Sequence, residues 1–212
     1  MNDSHRQSRP KHFSMLRTFV LADLVTMANA ASGTGAIFLC LRYVAERDPT
    51  YALGAFALLP IALVADVLDG AVARWRRKQS PLGADLDSLA DVVSFGVAPA
   101  VLAFALGMDG GWDALVLVYF VACGISRLAR YNVTASALSG DDGKVKYYEG
   151  TPIPTSLGLV AVLGAAFWAD AVHDRLWLGE LAIGPWVLHP LVLIYAVSGS
   201  AMISASLRIP KP

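Results

Sequence analysis

The stretch DVLDGAVARWRRKQSPLGADLDSLAD, residues 66–91, decides the fold of this chain. It lies between two apolar stretches, YALGAFALLPIALVA (51–65) and VVSFGVAPAVLAFAL (92–106), whose composition is typical of membrane-spanning helices. Four aspartates therefore stand at the edges of apolar segments: Asp66, Asp69, Asp87 and Asp91. Because an ionised carboxylate in an apolar site is costly unless it has partners, the arrangement indicates a functional site.

The composition is that of a membrane protein. Of the 212 residues, 56% are hydrophobic and only 16% are charged, whereas a soluble domain carries about 25% charged residues. The formal net charge is zero, so no bulk electrostatic argument favours a nucleic-acid partner. We therefore expect an integral membrane protein with one domain.

Six apolar runs predict an all-α fold with six transmembrane helices, since a spanning helix needs about 20 mostly apolar residues. The runs cover residues 19–41, 51–72, 86–106, 112–128, 153–172 and 186–207. They define a transmembrane domain at residues 19–208. We expect a basic segment before it, residues 1–18, which could form a juxtamembrane amphipathic helix or be disordered, and a short tail at residues 209–212.

The Lys and Arg residues predict the orientation, because cytoplasmic loops of membrane proteins are enriched in both. With both termini inside, fourteen of the seventeen Lys and Arg residues fall on the cytoplasmic side. The three exceptions are Arg42, Arg47 and Arg175. Both termini and the acidic stretch are therefore expected in the cytoplasm.

The acidic residues are spaced so that they share helix faces. Asp66, Asp69, Gly70 and Ala73 are at i, i+3, i+4 and i+7, while Gly83, Asp87, Asp91 and Ser94 are at i, i+4, i+8 and i+11. Between the two faces, Ser80-Pro81 reads as an N-cap followed by the first helical residue. A connection this short makes the helices antiparallel neighbours, so we expect the four acids to meet near the cytoplasmic surface.

Four converging carboxylates favour divalent metal. Two dications would balance four negative charges, and oxygen-only ligands suit Mg²⁺, Mn²⁺ or Ca²⁺. No Cys or His accompanies the acids, which argues against structural zinc. Small residues on the same faces leave room for a ligand, and Arg74 can hold a phosphate with its planar fork. Together these features suggest phosphoryl transfer.

Written as D-x2-D-G-x2-A-R-x8-G-x3-D-x3-D, the stretch resembles the signature of the CDP-alcohol phosphotransferase family of integral membrane enzymes. Such enzymes displace CMP from a CDP-linked lipid or alcohol with an acceptor hydroxyl. The resemblance implies that Asp66, Asp69 and Asp87 hold a binuclear metal site, which Asp91 completes while acting as the base on the acceptor. It also implies a CDP site formed by Asp66, Asp69, Gly70, Ala73, Arg74, Gly83 and Asp87, with Thr26 and Asn29 from the first helix.

Further stretches resemble the phosphatidylserine synthase branch of this family. They are DSLADVVSFGVAPA (87–100), RLARYN (127–132), YYEGTPIPTS (147–156) and TMANAASG (26–33). The branch implies transfer from CDP-diacylglycerol to L-serine, in a homodimer whose active site faces the cytoplasm of a prokaryotic cell. A serine pocket needs a cation and polar groups. The candidate acceptor contacts are Ser94, Arg127, Arg130, Asn132, Glu149 and Thr151.

Three alternatives remain open. The acceptor could instead be glycerol phosphate or inositol phosphate, for which Arg127, Arg130, Lys144 and Lys146 would supply a basic pocket. The donor could be an archaeal-type ether lipid. A cation-coupled transporter is the remote alternative, because intramembrane acids often mark ion paths. The acids cluster in one helix pair, however, and the other half of the chain has no equivalent.

Overall fold

The computed structural model describes residues 21–76, 83–138, 147–204 and 208–210, and these are mostly helical. The α-helices are α1 (Leu21–Glu46), α2 (Pro49–Arg76), α3 (Gly83–Asp91), α4 (Ala98–Ala105), α5 (Gly111–Leu138), α6 (Leu157–Trp168) and α7 (Leu193–Ile203). A π-helical segment (Val92–Val97) joins α3 to α4, and 3₁₀ turns cover Ile153–Ser156, His173–Arg175 and Pro190–Val192. The predicted N-terminal segment and the Ser80-Pro81 cap lie outside the described residues.

In the part of the chain that the structure describes, four helical stretches are long and apolar enough to cross a membrane: Asp23–Glu46, Pro49–Val72, Gly83–Ala105 and Gly111–Val133. Two further apolar helices, Ile153–Trp168 and Pro190–Ile203, are shorter. They lie within the last two predicted spans, so the described residues include six apolar helical stretches, of which four reach spanning length. The protein is therefore an integral membrane protein built mainly of helices.

The predicted helix ends were wrong in several places. Helix α1 continues past residue 41 to Glu46 and ends where Arg47 adopts a left-handed backbone with φ 56°. Helix α5 continues past residue 128 to Leu138, because polar residues at the end of a span do not by themselves stop a helix. Helix α6 ends at Trp168 instead of residue 172, just before the left-handed Asp170.

Within the described residues, two short antiparallel β-pairs accompany the helices of the predicted all-α fold. Strand β2 (Leu181–Ile183) pairs with β3 (Trp186–Leu188), where a helix beginning at residue 186 was expected. Strand β1 (Tyr147–Glu149) pairs with β4 (Arg208–Pro210), so part of the predicted C-terminal tail lies against a predicted loop. Apolar runs of this length do not distinguish strand from helix, which explains the error at β3.

The third predicted span is interrupted directly after Asp91. Residues Val92–Val97 are π-helical, and the Ala98 amide bonds the carbonyl of Val93, five residues back. Pro99 accounts for the break, because its ring has no N–H and would clash with the carbonyl four residues earlier in a regular helix. The break lies at the site, as π-bulges often do.

Helices α1 and α2 form an antiparallel pair that packs on the segment containing α3, the π segment and α4. Small residues such as Ala52, Ala55 and Ala62 are fully buried between helices, which lets helix backbones approach closely, as is common in membranes. Phe95, Phe120 and Tyr195 fill the centre of the bundle. This packing fixes the ends of α2 and α3 beside α1.

Candidate active site and metal centre

Three of the four predicted acids lie together. One carboxylate oxygen each of Asp66, Asp69 and Asp87 lies within 4.8 Å of the other two. The first two come from the C-terminal part of α2, where they are spaced i, i+3, and the third comes from α3. One oxygen of Asp87 is buried and has no hydrogen-bond partner among the described residues. An oxygen-only cluster with an unpartnered carboxylate oxygen fits a hard divalent cation.

The fourth acid, Asp91, is not a member of this three-carboxylate group. It ends α3, is nearly buried, and accepts a hydrogen bond of 3.3 Å on Oδ1 from the side-chain amide of Asn29. Its position is one helical turn beyond Asp87, so it borders the cluster. The geometry separates three clustered carboxylates from one carboxylate held by α1.

Helix α1 presents one polar face to the acids. Thr26 donates a 2.6 Å hydrogen bond to Oδ2 of Asp69, and Asn29, one turn further along, donates to Asp91. Both α1 residues were predicted to contact CDP, and in the structure each donates a hydrogen bond to one of the acids. The i, i+3, i+7 spacing of Thr26, Asn29 and Gly33 could have identified this face from the sequence.

Gly33 allows α1 to approach the π segment closely. A Cβ atom at Gly33 would lie 2.4 Å from Oγ and 2.7 Å from Cα of Ser94, so only glycine fits. The Ser94 hydroxyl donates a 2.9 Å hydrogen bond to the backbone carbonyl of Asn29 and is completely buried. Ser94 was predicted as an acceptor contact, and its described hydrogen bond joins α1 to the π segment.

The other predicted CDP residues lie at the C-terminal end of α2 and the N-terminal end of α3. Gly70 follows Asp69 in α2, and Gly83 is the first residue of α3. Ala73 and Arg74 belong to the last turns of α2, while their side chains lie outside the described part of the structure. The backbone therefore brings the signature positions to one end of the bundle.

The predicted acceptor residues lie on α5 and on the segment after β1. Asn132 donates a 3.0 Å hydrogen bond to the Ser88 hydroxyl, which ties α5 to α3 beside Asp87. Arg127 lies over the ring of Tyr131, 5.9 Å from its centroid. Arg130 is an exposed residue of the same helix. The structure thus gives Asn132 a helix-linking contact.

The segment after β1 docks into the bundle. The Thr151 amide donates to the Ala201 carbonyl at 3.2 Å, while its hydroxyl is buried without a partner among the described residues. Ile153 inserts between two glycines, with its Cδ1 2.9 Å from the Cβ position of Gly124 and 3.8 Å from that of Gly96. This brings the segment against the π segment. The Glu149 side chain lies outside the described structure.

The opposite end of the bundle holds two polar clusters that the sequence did not reveal. Asp113, fully buried, accepts hydrogen bonds from the His189 amide at 2.8 Å and pairs with its Nδ1 at 2.5 Å. His173 bonds the Tyr43 hydroxyl through Nε2 at 3.0 Å and also contacts Arg47. These clusters join the segments around His173 and His189 to α1 and α5.

Comparison with known proteins places the chain in a family. The model of the CDP-alcohol phosphatidyltransferase family matches residues 19–197. A CDP-diacylglycerol–serine O-phosphatidyltransferase from Saccharomyces cerevisiae is 44% identical over 204 residues, which cover 95% of this chain and 74% of that protein. A Mycobacterium leprae protein of the same name is 32% identical over 186 residues, or 81% of this chain and 57% of its own length.

Archaeal proteins are also similar. An archaetidylserine synthase from Methanothermobacter thermautotrophicus is 37% identical over 171 residues, which cover 79% of this chain and 66% of that protein. Relatives thus occur in a yeast, in bacteria and in archaea, so the similarity does not assign the chain to a prokaryotic membrane.

Proposed function

Because the chain belongs to the CDP-alcohol phosphatidyltransferase family, we propose that it transfers the phosphatidyl group of CDP-diacylglycerol to L-serine and releases CMP. The observation that carries the proposal is the three-carboxylate cluster, which coincides with the complete family signature. The names of the yeast and mycobacterial relatives support serine over glycerol phosphate or inositol phosphate as the acceptor.

We propose that Asp66, Asp69 and Asp87 hold two divalent cations, Mg²⁺ or Mn²⁺ with Ca²⁺ as an alternative, and that Asp91 completes the site. Enzymes of this family generally use divalent metal. Cations bound there would supply charge stabilisation to the diphosphate of the donor. The clustered oxygens and the unpartnered oxygen of Asp87 support this assignment.

Asp91 acts as the general base in the proposed reaction. Its carboxylate takes the proton of the serine hydroxyl, and the hydroxyl oxygen forms a new bond to the phosphorus that carries the lipid. The bond from that phosphorus to the CMP oxygen breaks, and CMP leaves. Asp91 fits this role because it borders the cluster and is held by a neutral amide, not by a cation.

The substrate contacts are proposed from the signature and the resemblance. Gly70, Ala73, Arg74 and Gly83 would bound the CDP site, together with the acids. Arg127, Arg130, Glu149 and Thr151 would contact serine, and the buried, unpartnered hydroxyl of Thr151 supports its inclusion. Thr26 and Asn29 remain predicted CDP contacts, and Ser94 and Asn132 remain predicted serine contacts. Each of the four also makes the hydrogen bond within the protein described above.

We further propose that all six apolar helical stretches cross the membrane, with both termini and the active site in the cytoplasm. Residues Arg42 and Arg47 lie at the end of α1 remote from the acids, and Arg47 contacts His173, close to Arg175. The three Lys and Arg exceptions thus lie at the same end of the bundle, away from the acids. Because the positive-inside rule places most Lys and Arg residues in the cytoplasm, this end is assigned to the outer side. A homodimer is proposed on the family resemblance.

A second donor is favoured by one observation. The archaetidylserine synthase relative is named for an ether-lipid product, and its identity of 37% is comparable to that of the mycobacterial relative. An ether-linked CDP-lipid would use the same phosphoryl chemistry, because the linkage lies away from the diphosphate.

The test is CMP release by the purified protein from CDP-diacylglycerol, with and without L-serine and with a chelator. We expect release to require both serine and Mg²⁺ or Mn²⁺. Ester and ether donors, and glycerol phosphate and inositol phosphate as acceptors, are compared in the same assay. Release driven by another alcohol but not by serine would overturn the acceptor assignment.

The Asp91→Asn variant tests the base assignment. We expect it to lose turnover while still binding CDP-lipid in a metal-dependent manner. Full activity of this variant would exclude Asp91 as the base.

A further inference from the structure

Asn29 carries a polar side chain at one of the most enclosed positions of the structure. The residue is completely buried, although α1 exposes large apolar side chains such as Leu24 and Phe38 on other faces. An amide transferred from water to an apolar site is costly unless its donors and acceptors are satisfied. The partners of Asn29 therefore show what the amide does there.

The side-chain nitrogen has one described partner, Oδ1 of Asp91, at 3.3 Å. An ionised carboxylate can only accept hydrogen bonds, so the NH₂ end of the amide must face Asp91. This is the one side-chain hydrogen bond that Asp91 makes within the described part of the chain. The orientation of the Asp91 carboxylate therefore depends on Asn29.

The side-chain oxygen of Asn29 is buried and has no partner among the described residues. A leucine, which has the same branched shape, would avoid this unsatisfied acceptor and would suit an apolar helix seam. An unsatisfied buried group that persists at such a position calls for a compensating role. The hydrogen bond to Asp91 is the only described interaction of the side chain that can supply it.

The backbone fixes Asn29 relative to Asp91 independently of that bond. The Asn29 carbonyl accepts a 2.9 Å hydrogen bond from the Ser94 hydroxyl. Gly33 has no Cβ, and this lets α1 lie directly against Ser94. Helix α1 is thereby anchored to the π segment that begins directly after Asp91. A change of the Asn29 side chain should leave this anchor in place.

From these contacts we infer that Asn29 is a positioning residue, which orients the Asp91 carboxylate for proton abstraction at a cost in stability. The inference rests on the proposed function, since it gives Asp91 the role of base. It differs from the role predicted from the resemblance, in which Asn29 binds CDP. If Asn29 positions Asp91, its replacement should leave the affinity for CDP-diacylglycerol nearly unchanged. If Asn29 binds CDP, the same replacement should weaken that affinity.

The experiment compares Asn29→Leu and Asn29→Asp with the unchanged protein. Turnover with saturating serine should fall at least tenfold in both variants, because each lacks the amide donor. The Kd for CDP-diacylglycerol, measured by calorimetry with Mg²⁺, should change less than threefold. The melting temperature of Asn29→Leu should be unchanged or higher, because the unsatisfied oxygen is gone.

Thr34→Val is the matched control. Thr34 lies on the same helix, but its hydroxyl donates to the Ala30 carbonyl of its own helix, so turnover and donor binding should both be retained. Unchanged turnover in Asn29→Leu would overturn the inference. A Kd weakened in step with turnover would assign Asn29 to CDP, and a lower melting temperature with lost turnover would make it structural.

The unchanged protein separates this inference from the proposed function. If it releases no CMP with serine, the proposed function fails. If it does so and Asn29→Leu turns over equally fast, only the inference fails.

Discussion

Thr26 in α1 and Asp69 in α2 are joined by a 2.6 Å hydrogen bond between residues that stand 43 positions apart in the chain. The bond makes α1 part of the carboxylate site that we propose to hold metal, although the family signature begins only at Asp66. With the bond from Asn29 to Asp91, it gives α1 contacts to two of the four acids. Helix α1 is thus a support for the acids as well as a membrane span.

Thr26→Val should weaken metal binding without unfolding the protein. The variant keeps the shape of the side chain and removes the hydroxyl that orients Asp69. Loss of a hydrogen bond to a metal-binding group typically costs 10–100-fold in affinity, so the Mn²⁺ needed for half-maximal binding should rise by at least about tenfold. Electron paramagnetic resonance of free Mn²⁺ measures this directly. An unchanged Mn²⁺ affinity would contradict the role given to Thr26.

Gly33→Ala should destabilise the protein and reduce activity, because the new Cβ would lie 2.4 Å from Ser94 Oγ and 2.7 Å from its Cα. The backbone atom cannot move aside without shifting α1 away from the π segment. The measurement is thermal unfolding in detergent together with CMP release.

Gly158→Ala is the control for this change. A Cβ at Gly158 in α6 would meet nothing within 4 Å, so its melting temperature should stay the same or rise slightly, as helix propensity favours alanine. Equal behaviour of the two variants would show that the close approach at Gly33 has no energetic consequence.

Asp113→Asn should lower stability without changing substrate affinity. The Asp113 carboxylate accepts hydrogen bonds from the Gly110 and His189 amides and pairs with the His189 ring. Asparagine offers one acceptor oxygen in place of two, so a buried donor loses its acceptor, which costs about 1–3 kcal/mol. The KM for serine should be unchanged, since the cluster lies at the end of α5 opposite Arg127. A raised KM with unaltered stability would contradict this structural role.

His173 should make the protein less stable in mild acid. Burial, followed by the nearby Arg47 cation, lowers the pKa of His173 from its ordinary value of 6.5, while Asp109 and Asp174 oppose the shift. The unfolded chain then binds a proton more readily than the folded one as the pH falls below 6.5. The stability present above that pH is therefore lost progressively until the folded-state pKa is reached.

His173→Asn is the comparison, because asparagine tolerates the left-handed backbone at this position, with φ 54°. The difference in melting temperature between pH 7 and pH 5 should be smaller in this variant. An identical pH dependence would show that His173 does not contribute. The acids of the active site are common to both proteins and cancel in the difference.

The sequence was sufficient to predict the acidic helix pair. The spacings of Asp66, Asp69 and Asp87 depend only on helical geometry, and a short connection places α2 beside α3. The contacts of α1 could not be derived in the same way. The hydrogen bond between Asn29 and Asp91 joins residues 62 positions apart in the chain, and it depends on how α1 packs against α3. That alignment follows from Gly33 and Ser94, whose contact is visible only in three dimensions.

The errors in the fold have similar causes. A short run of apolar and aromatic residues fits either a strand or a helix, so β3 was predicted as helix. Polar residues after Arg127 suggested a helix end, yet α5 continues to Leu138. In the first case the local pairing of β3 with β2 decided the outcome.

The π segment has a consequence for how this chain is compared with other proteins. A π turn is equivalent to one extra residue inserted into an α-helix. If one residue were deleted between Val92 and Val97, a regular helix would result, and Asp87 and Asp91 would rotate by about 100° relative to the buried face of α4. The direction in which the acids point is therefore encoded by the number of residues before Pro99 as well as by their identity. A sequence alignment without a gap at this position can match every aspartate and still place Asp87 and Asp91 on the wrong face of the helix relative to α4.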